Sequence, residues 1–328
     1  MQAERDIASH DPTVDATTPG AATPGATTPA AATGAAATGA AAVPTIGAGD
    51  AIEAPSGKGA TDENFPVGSW LIAPRLRPHV MAYYAFARGT DDIADDETLA
   101  PEEKIRRLDA CEAAVRSGRG APDFAVRLHR SLAETGVGVD CATDLLVAFR
   151  EDALKTRYAS WEELMRYCRY SAHPVGRYLL QLHGEAPGTA VPGDALCAAL
   201  QVLNHLQDLG PDRRRLDRVY LPRDWMAEAG IDETALDAGS VSPGLRAVMD
   251  HCLDGVDTLL ERSAPLALKV RSRRLGAEIA VIHRLALRLA ARLRREDPLA
   301  GRVKHARIDL AMGLLAGIGR LARSGGRT

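Results

Sequence analysis

Two groups of carboxylates are the residues of this chain best suited to chemistry. Asp91, Asp92, Asp95 and Asp96 lie in YYAFARGTDDIADD, and Asp208 and Asp212 lie in NHLQDLGPD. Within each group the key acids are four residues apart, a spacing that puts them on one face of a helix. Like charges so placed cost a helix about 0.2–0.5 kcal/mol. A divalent cation reverses that cost, and Mg²⁺ takes one or two carboxylates together with substrate phosphates. Two facing acidic helix ends therefore point to Mg²⁺ ions holding a diphosphate. The plainer reading of Asp91–Asp96 is a polar helix end, although acids there oppose the helix dipole. Asp208 and Asp212 alone read equally well either way, because Gly210-Pro211 between them disturbs an ideal helix. Their weight comes from occurring together, each at the end of an apolar helix.

Basic residues accompany both groups. Arg88 lies one turn before the first, Lys155 and Arg157 follow the acidic pair Glu151-Asp152, and Arg218 and Tyr220 lie just beyond the second. The guanidinium fork donates several hydrogen bonds to a phosphate at once. Taken singly, each is more often a surface charge.

The elements that must hold these residues read as helices. Pro78 to about Asp96 predicts a helix ending in the first acidic group. Pro101-Glu102-Glu103 opens another, with proline first and acids at the positive end of the dipole. A short helix is predicted over Asp123–Thr135 and a further one over Asp140–Leu154. Ser160-Trp161-Glu162-Glu163 is a capping box for a helix running towards His183, kinked at Pro174. From Pro192 to Leu209, Leu196, Ala199, Leu200, Leu203 and Leu206 form an apolar stripe. Leu245–Arg262, Arg274–Arg295 and Val303–Arg323 complete a set of about eight to ten helices with no convincing sheet, which makes an all-α bundle.

Composition bounds the rest. The chain has 328 residues and a net charge of −3, so nothing global points to nucleic acid. Residues 1–60 read as a disordered tail of Ala, Thr, Pro and Gly, too poor in apolar bulk to offset ordering entropy. Residues 61–328 then form one all-α domain. The five cysteines are scattered without metal-type spacing, as expected of reduced thiols in the cytoplasm. No apolar run reaches the ~20 residues needed to span a bilayer. Leu310–Gly319 reads as part of an amphipathic last helix, packed on the core or, less simply, laid on a membrane surface. No GxGxxG follows a strand and no GxxxxGK[ST] occurs, so a nucleotide-binding fold is not expected.

These motifs, in this order, resemble the squalene/phytoene synthases, all-α enzymes of the isoprenoid synthase type that act on prenyl diphosphates. The resemblance runs from about Glu63 to Pro222. YAFARGTDDIADD is similar to the family's first aspartate-rich motif, with Tyr84 and Arg88 in place and Asp91 and Asp95 on the metal-binding pair. YCRYSAHPVG is similar to the central motif through Tyr167 and Gly176. QVLNHLQDLGPD is similar to the second aspartate-rich motif through Gln201, Asn204, Asp208 and Asp212, and DRVYLP to the segment after it. The resemblance implies Mg²⁺ held by Asp91, Asp92, Asp95, Asn204, Asp208 and Asp212. It also implies catalytic roles for Tyr84, Arg88, Tyr167 and Asn204, and substrate binding by Phe65, Arg88, Lys155, Arg157, Gln201, Arg218 and Tyr220. Gln207 stands where the second motif usually has Arg, Pro211 interrupts that motif, and His173 replaces a small or amide residue.

ENFPVGSW, RLRPHV, DALKTRY and RRLDRVYLP most resemble the bacterial hopanoid-pathway branch. For that branch the resemblance implies ionisation of presqualene diphosphate and capture of the cation by water, giving hydroxysqualene. A presqualene diphosphate synthase would precede it and a flavin-dependent reductase would follow it. Hydrocarbon tails require an apolar tunnel, expected along the helices from Asp140, Ser160 and Pro192. Lipid substrates also raise peripheral contact with the inner face of the membrane. Two alternatives remain at this stage. One is head-to-head condensation of two prenyl diphosphates, against which Gln207 weighs. The other is a non-catalytic lipid-binding or assembly subunit, against which the four retained aspartates weigh.

Overall fold

The structure, a computed structural model, describes residues 72–324; Phe65 and the whole of the expected tail lie outside them. Among the described residues there are thirteen α-helices and one pair of short strands. The first half comprises α1 (Arg77–Asp95), α2 (Pro101–Ser117), α3 (Asp123–Thr135), α4 (Asp140–Asp152), α5 (Trp161–Ser171) and α6 (His173–Leu182). The second comprises α7 (Ala190–Gln207), α8 (Leu209–Leu216), α9 (Arg223–Glu228), α10 (Pro243–Ser263), α11 (Leu266–Lys269), α12 (Arg273–Leu293) and α13 (Arg307–Ser324).

Local chemistry explains most boundaries. Pro101 occupies the first turn of α2, and Gly118 ends it in the left-handed conformation at φ 70°. The expected capping box is present: Ser160 Oγ accepts from the Glu163 amide, and Glu163 Oε2 accepts from the Ala159 amide at 2.5 Å. Pro174 does more than kink the predicted long helix. The chain breaks at Ala172, and α6 starts afresh with Pro174 in its first turn, where a missing N–H costs nothing.

Two expectations need correction. The helix count is higher because α8, α9 and α11 are too short to show an apolar period. There is also a sheet, if a small one: β1 (Arg157–Tyr158) pairs in parallel with β2 (Val219–Pro222). Two- and four-residue strands carry no readable alternation, and their pairing depends on the helices that bring them together.

Two apolar cores support the site. Phe86 and Ile93 of α1 pack with Leu108 of α2, Leu128 of α3 and Leu146 of α4. Leu203 and Leu206 of α7 pack with Leu253 of α10 and Leu289 of α12. Burial of each such leucine contributes about 1.5–3 kcal/mol. The acidic end of α1 and the C-terminal end of α7 are thereby held by separate cores, and α6 joins them, with Tyr178 and Leu182 in the first and Leu180 in the second.

Candidate active site

The two aspartate pairs meet at one end of the bundle. Asp91 and Asp95 project from the last turns of α1. Asp208 is the cap where α7 stops, and Asp212 lies in the first turn of α8. Pro211, out of place in a continuous helix, sits comfortably in that first turn. Breaking the helix at Asp208 is how the chain turns both acids inward despite Gly210-Pro211.

Arg218, just before β2, lies between the pairs: its amide donates to the Asp212 carbonyl and its side chain reaches Asp95. It is only 6% exposed, and its Nη1 donates to Asp95 Oδ1 at 2.9 Å and to the Tyr220 hydroxyl at 3.3 Å. Its Nη2 donates to the Asp152 carbonyl at 3.1 Å, and its Nε lies 3.7 Å from Asp152 Oδ1. The Tyr167 hydroxyl donates to Asp152 Oδ2 at 2.8 Å. Tyr220 stacks on His205 with ring centroids 3.4 Å apart and faces Tyr167 at 5.6 Å. Gln201 Nε2 lies 3.3 Å from His205 Nε2.

The electrostatics fit crowded acids. Burial and then Asp95 push the Asp91 carboxyl well above the usual range, with Arg88 opposing. Asp152 is pushed up to about 7 by burial, against the pull of Arg218 and the Tyr167 hydrogen bond. Asp212 also rises to about 7, through burial and then Asp208, with Asp95 adding from the other pair. Burial and the neighbouring Arg218 lower His205 to about 3, so its imidazole is neutral.

The remaining expected residues divide. Arg88 bridges Asp91 at 3.0 Å and Asp92 at 2.5 Å. Tyr84 lies one turn earlier and lines the apolar cavity described below. Asn204 is on the last turn of α7, where its carbonyl accepts from the Asp208 amide. Lys155 is paired instead with Glu151 and Glu163, each at 2.8 Å, and Arg157 with Asp217 and Glu233. Neither contacts an aspartate of the two pairs, because Glu151, Glu163, Asp217 and Glu233 already hold them. Asp96 also leaves the group: it caps the turn at Thr98. Gln207 is fully buried and donates to the Val303 carbonyl, so its difference from Arg bears on the packing of that loop. His173 begins α6 with its Nδ1 3.6 Å from Asp194.

Four residues near the aspartates had no assigned role in the sequence. Asp152 follows Glu151 at the end of α4, and its partnership with Tyr167 and Arg218 is a tertiary fact. His205 adjoins Asn204 in the second motif, where its position alone was a signal. Arg215 lies 3.5 Å from Asp95, and Arg302 lies 3.2 Å from Asp208.

Beneath the acidic end lies an apolar cavity of about 260 Å³, bounded by Val80, Tyr84, Gly176, Leu196, Leu200 and Ile282 among others. Helices α1, α6, α7 and α12 form most of it, so the helix from Pro192 lines it as expected, the one from Ser160 does so only through its second half, α6, and the one from Asp140 does not. Gly176 lets α6 and α7 approach closely at the cavity wall: a Cβ there would be 2.5 Å from Cys197 Sγ.

The donor set fits a hard divalent cation. All candidate ligands are oxygens, and among the described residues Asp152 Oδ1 is buried without a hydrogen bond. Among the same residues no three His, Cys, Asp or Glu side chains converge into a metal cage.

An all-α bundle with two acidic helix ends above an apolar cavity defines an isoprenoid synthase fold. The chain belongs to the squalene/phytoene synthase family, whose model matches residues 59–309, and it is an enzyme of that type. It is 46% identical to hydroxysqualene synthase of Rhodopseudomonas palustris over 77% of this chain and 87% of that one. It is 41% identical to hydroxysqualene synthase of Zymomonas mobilis over 81% and 91%. Among solved structures it is similar to squalene synthase HpnC from Alicyclobacillus acidocaldarius. That match has a TM-score of 0.64 and 30% identity, covering 72% of this chain and 90% of the other.

Proposed function

We propose that the protein converts presqualene diphosphate and water to hydroxysqualene and diphosphate, in squalene and hopanoid biosynthesis. The observation that carries this reading is 46% identity with a hydroxysqualene synthase over most of both chains. The geometry is in keeping with it: acidic helix ends for a diphosphate stand beside an apolar cavity for its tails.

In this reading Asp91, Asp95, Asp208 and Asp212, with Asp92 and Asn204 beside them, would hold Mg²⁺. When bound, that ion supplies Lewis-acid stabilisation of the departing diphosphate. Arg88 fixes the outer edge of the first pair. Arg218 holds Asp95 and Asp152 apart and in register, so that the carboxylates are set before the substrate arrives. The carbon–oxygen bond breaks with its electrons leaving on the diphosphate. The cyclopropylcarbinyl cation rearranges, water forms the new carbon–oxygen bond, and the proton released passes to solvent or diphosphate. Tyr84, on the cavity wall, presents a ring face to the cation, and Tyr167, fixed by Asp152, packs against Tyr220 beside Arg218. The cavity excludes stray water until rearrangement is complete.

Gln207 no longer weighs against head-to-head condensation, since its side chain is turned into the packing at Val303. Product analysis separates the two reactions. Purified protein with Mg²⁺ and no NADPH is offered presqualene diphosphate and farnesyl diphosphate separately. Hydroxysqualene from the former, lost in Asp91→Ala and Asp208→Ala, is expected. Consumption of farnesyl diphosphate to a presqualene-type product would overturn the assignment in favour of condensation. Within a pathway, a presqualene diphosphate synthase supplies the substrate and a flavin-dependent reductase consumes the alcohol. In this reading the enzyme works in the cytoplasm, beside the inner face of the membrane that holds both lipids.

A further inference from the structure

Helix α13 is packed the wrong way round for an ordinary core helix. Its small residues face inward: a Cβ on Gly317 would be 2.8 Å from Val281 Cγ2, and one on Gly313 would be 3.3 Å from Leu285. Close backbone approach to α12 follows, as at other small-residue helix contacts. Its large aliphatics face outward instead. Ile308, Leu310, Leu314, Leu315 and Ile318 are 48–63% exposed, and Leu310, Leu314 and Ile318 form a row at four-residue spacing. Leu268 and Leu287 extend the patch across the groove beside α13. Most of the exposed large aliphatics among the described residues are collected here, which scattered surface leucines would not produce.

The surroundings of this face are basic although the chain is net acidic. From Arg262 to Ala277 there are five basic residues and no acid; from Pro298 to Thr328 there are six and only Asp309. Asp309 is buried and paired to Arg288 at 2.6 Å, so it does not offset the surface charge. The first basic segment adjoins the helix directly: Arg273 Nη2 donates to the Leu321 carbonyl at 3.0 Å, and Arg320 Nε to the Ala267 carbonyl at 2.6 Å. Lys269, Arg271, Arg273 and Arg274 are exposed there. The face also lies next to the apolar cavity, since Ile279 lines both the cavity and the groove beside α13.

We infer that the outer face of α13 and the basic 269–274 segment form a docking surface for an anionic lipid bilayer. An apolar helix face with a cationic rim is what binds at a headgroup boundary. Basic side chains draw the face to anionic lipid, and the leucines then leave water. Proximity to the cavity gives the hydrocarbon tails of substrate and product a short route to the bilayer. That last role rests on the proposed function; the docking itself does not.

The test is co-sedimentation of the full-length protein with vesicles of phosphatidylcholine alone and of phosphatidylcholine with phosphatidylglycerol. Strong binding to the anionic vesicles, weakened by salt, is expected. Leu314→Glu with Ile318→Glu should weaken it at least tenfold, and Lys269→Glu with Arg274→Glu should remove the preference for anionic lipid. Both pairs of substitutions are on the surface, so circular dichroism and melting should match the parent. Turnover of substrate presented in detergent should also be unchanged in the leucine variant, which separates failure of docking from failure of the proposed reaction. Binding that is equal in parent and variants would overturn the inference. So would a dimer in solution that Leu314→Glu dissociates without any vesicle binding by the parent, or vesicle binding that depends only on residues 1–71.

Discussion

Arg218 Nη1 lies 2.9 Å from Asp95 Oδ1 while the same guanidinium holds the Asp152 carbonyl, so one buried cation joins the ends of α1 and α4. Burial alone would weaken its charge; Tyr220, Asp152 and Asp95 around it hold it firmly protonated. Removing one partner of a buried ion pair costs about 3–5 kcal/mol, because the others are left uncompensated. Arg218→Ala is expected to lose stability of that order in urea unfolding and to lose activity. Arg218→Lys keeps the charge but not the fork, and should recover stability only in part.

The pH dependence of the metal-free protein should carry the mark of Asp152. Burial raises it to about 7, whereas in the unfolded chain it titrates near an ordinary value of about 3.9. Between these values the folded state binds the extra proton, so unfolding free energy falls as pH rises. The contribution is fully present below about pH 4 and lost as pH passes through about 7. Melting temperature measured with chelator should fall from acid towards neutral pH, and Asp152→Asn should flatten that slope.

Metal removal supplies a second check. Mg²⁺ with diphosphate should raise the melting temperature at neutral pH by relieving repulsion among the aspartates. In Asp95→Asn and Asp212→Asn the shift should shrink or vanish. An undiminished shift in both variants would mean that the ion binds elsewhere. Chelator should abolish turnover, and Mg²⁺ should restore it.

The cavity wall depends on Gly176. Gly176→Val drives its side chain into Cys197 and should cost about 1–3 kcal/mol by overpacking. Catalytic efficiency should fall through KM, most for the longest tails, with metal-induced stabilisation unchanged. Adding Cys197→Ala restores space and should recover most of the loss.

The sequence by itself determined the helical class, most helix boundaries and the identity of the aspartate pairs. These are local facts: apolar residues at three-to-four spacing, Pro101 and Ser160 at helix starts, and acids four apart do not depend on what lies opposite. It also carried the family, because its motifs occur in a fixed order. Only tertiary structure decided which charges face which. Arg218 and Lys155 look alike as basic residues near acids. The turn into β2 brings the first to Asp95, whereas the second, past the end of α4, pairs with Glu151 and Glu163. Asp152 and Arg302 reach the site across 66 and 94 residues of chain to Arg218 and Asp208. The apolar face of α13 shows the same limit. Its Leu and Gly positions are periodic alike, and close approach to Val281 of α12 is what turns the glycines inward and leaves the leucines outside.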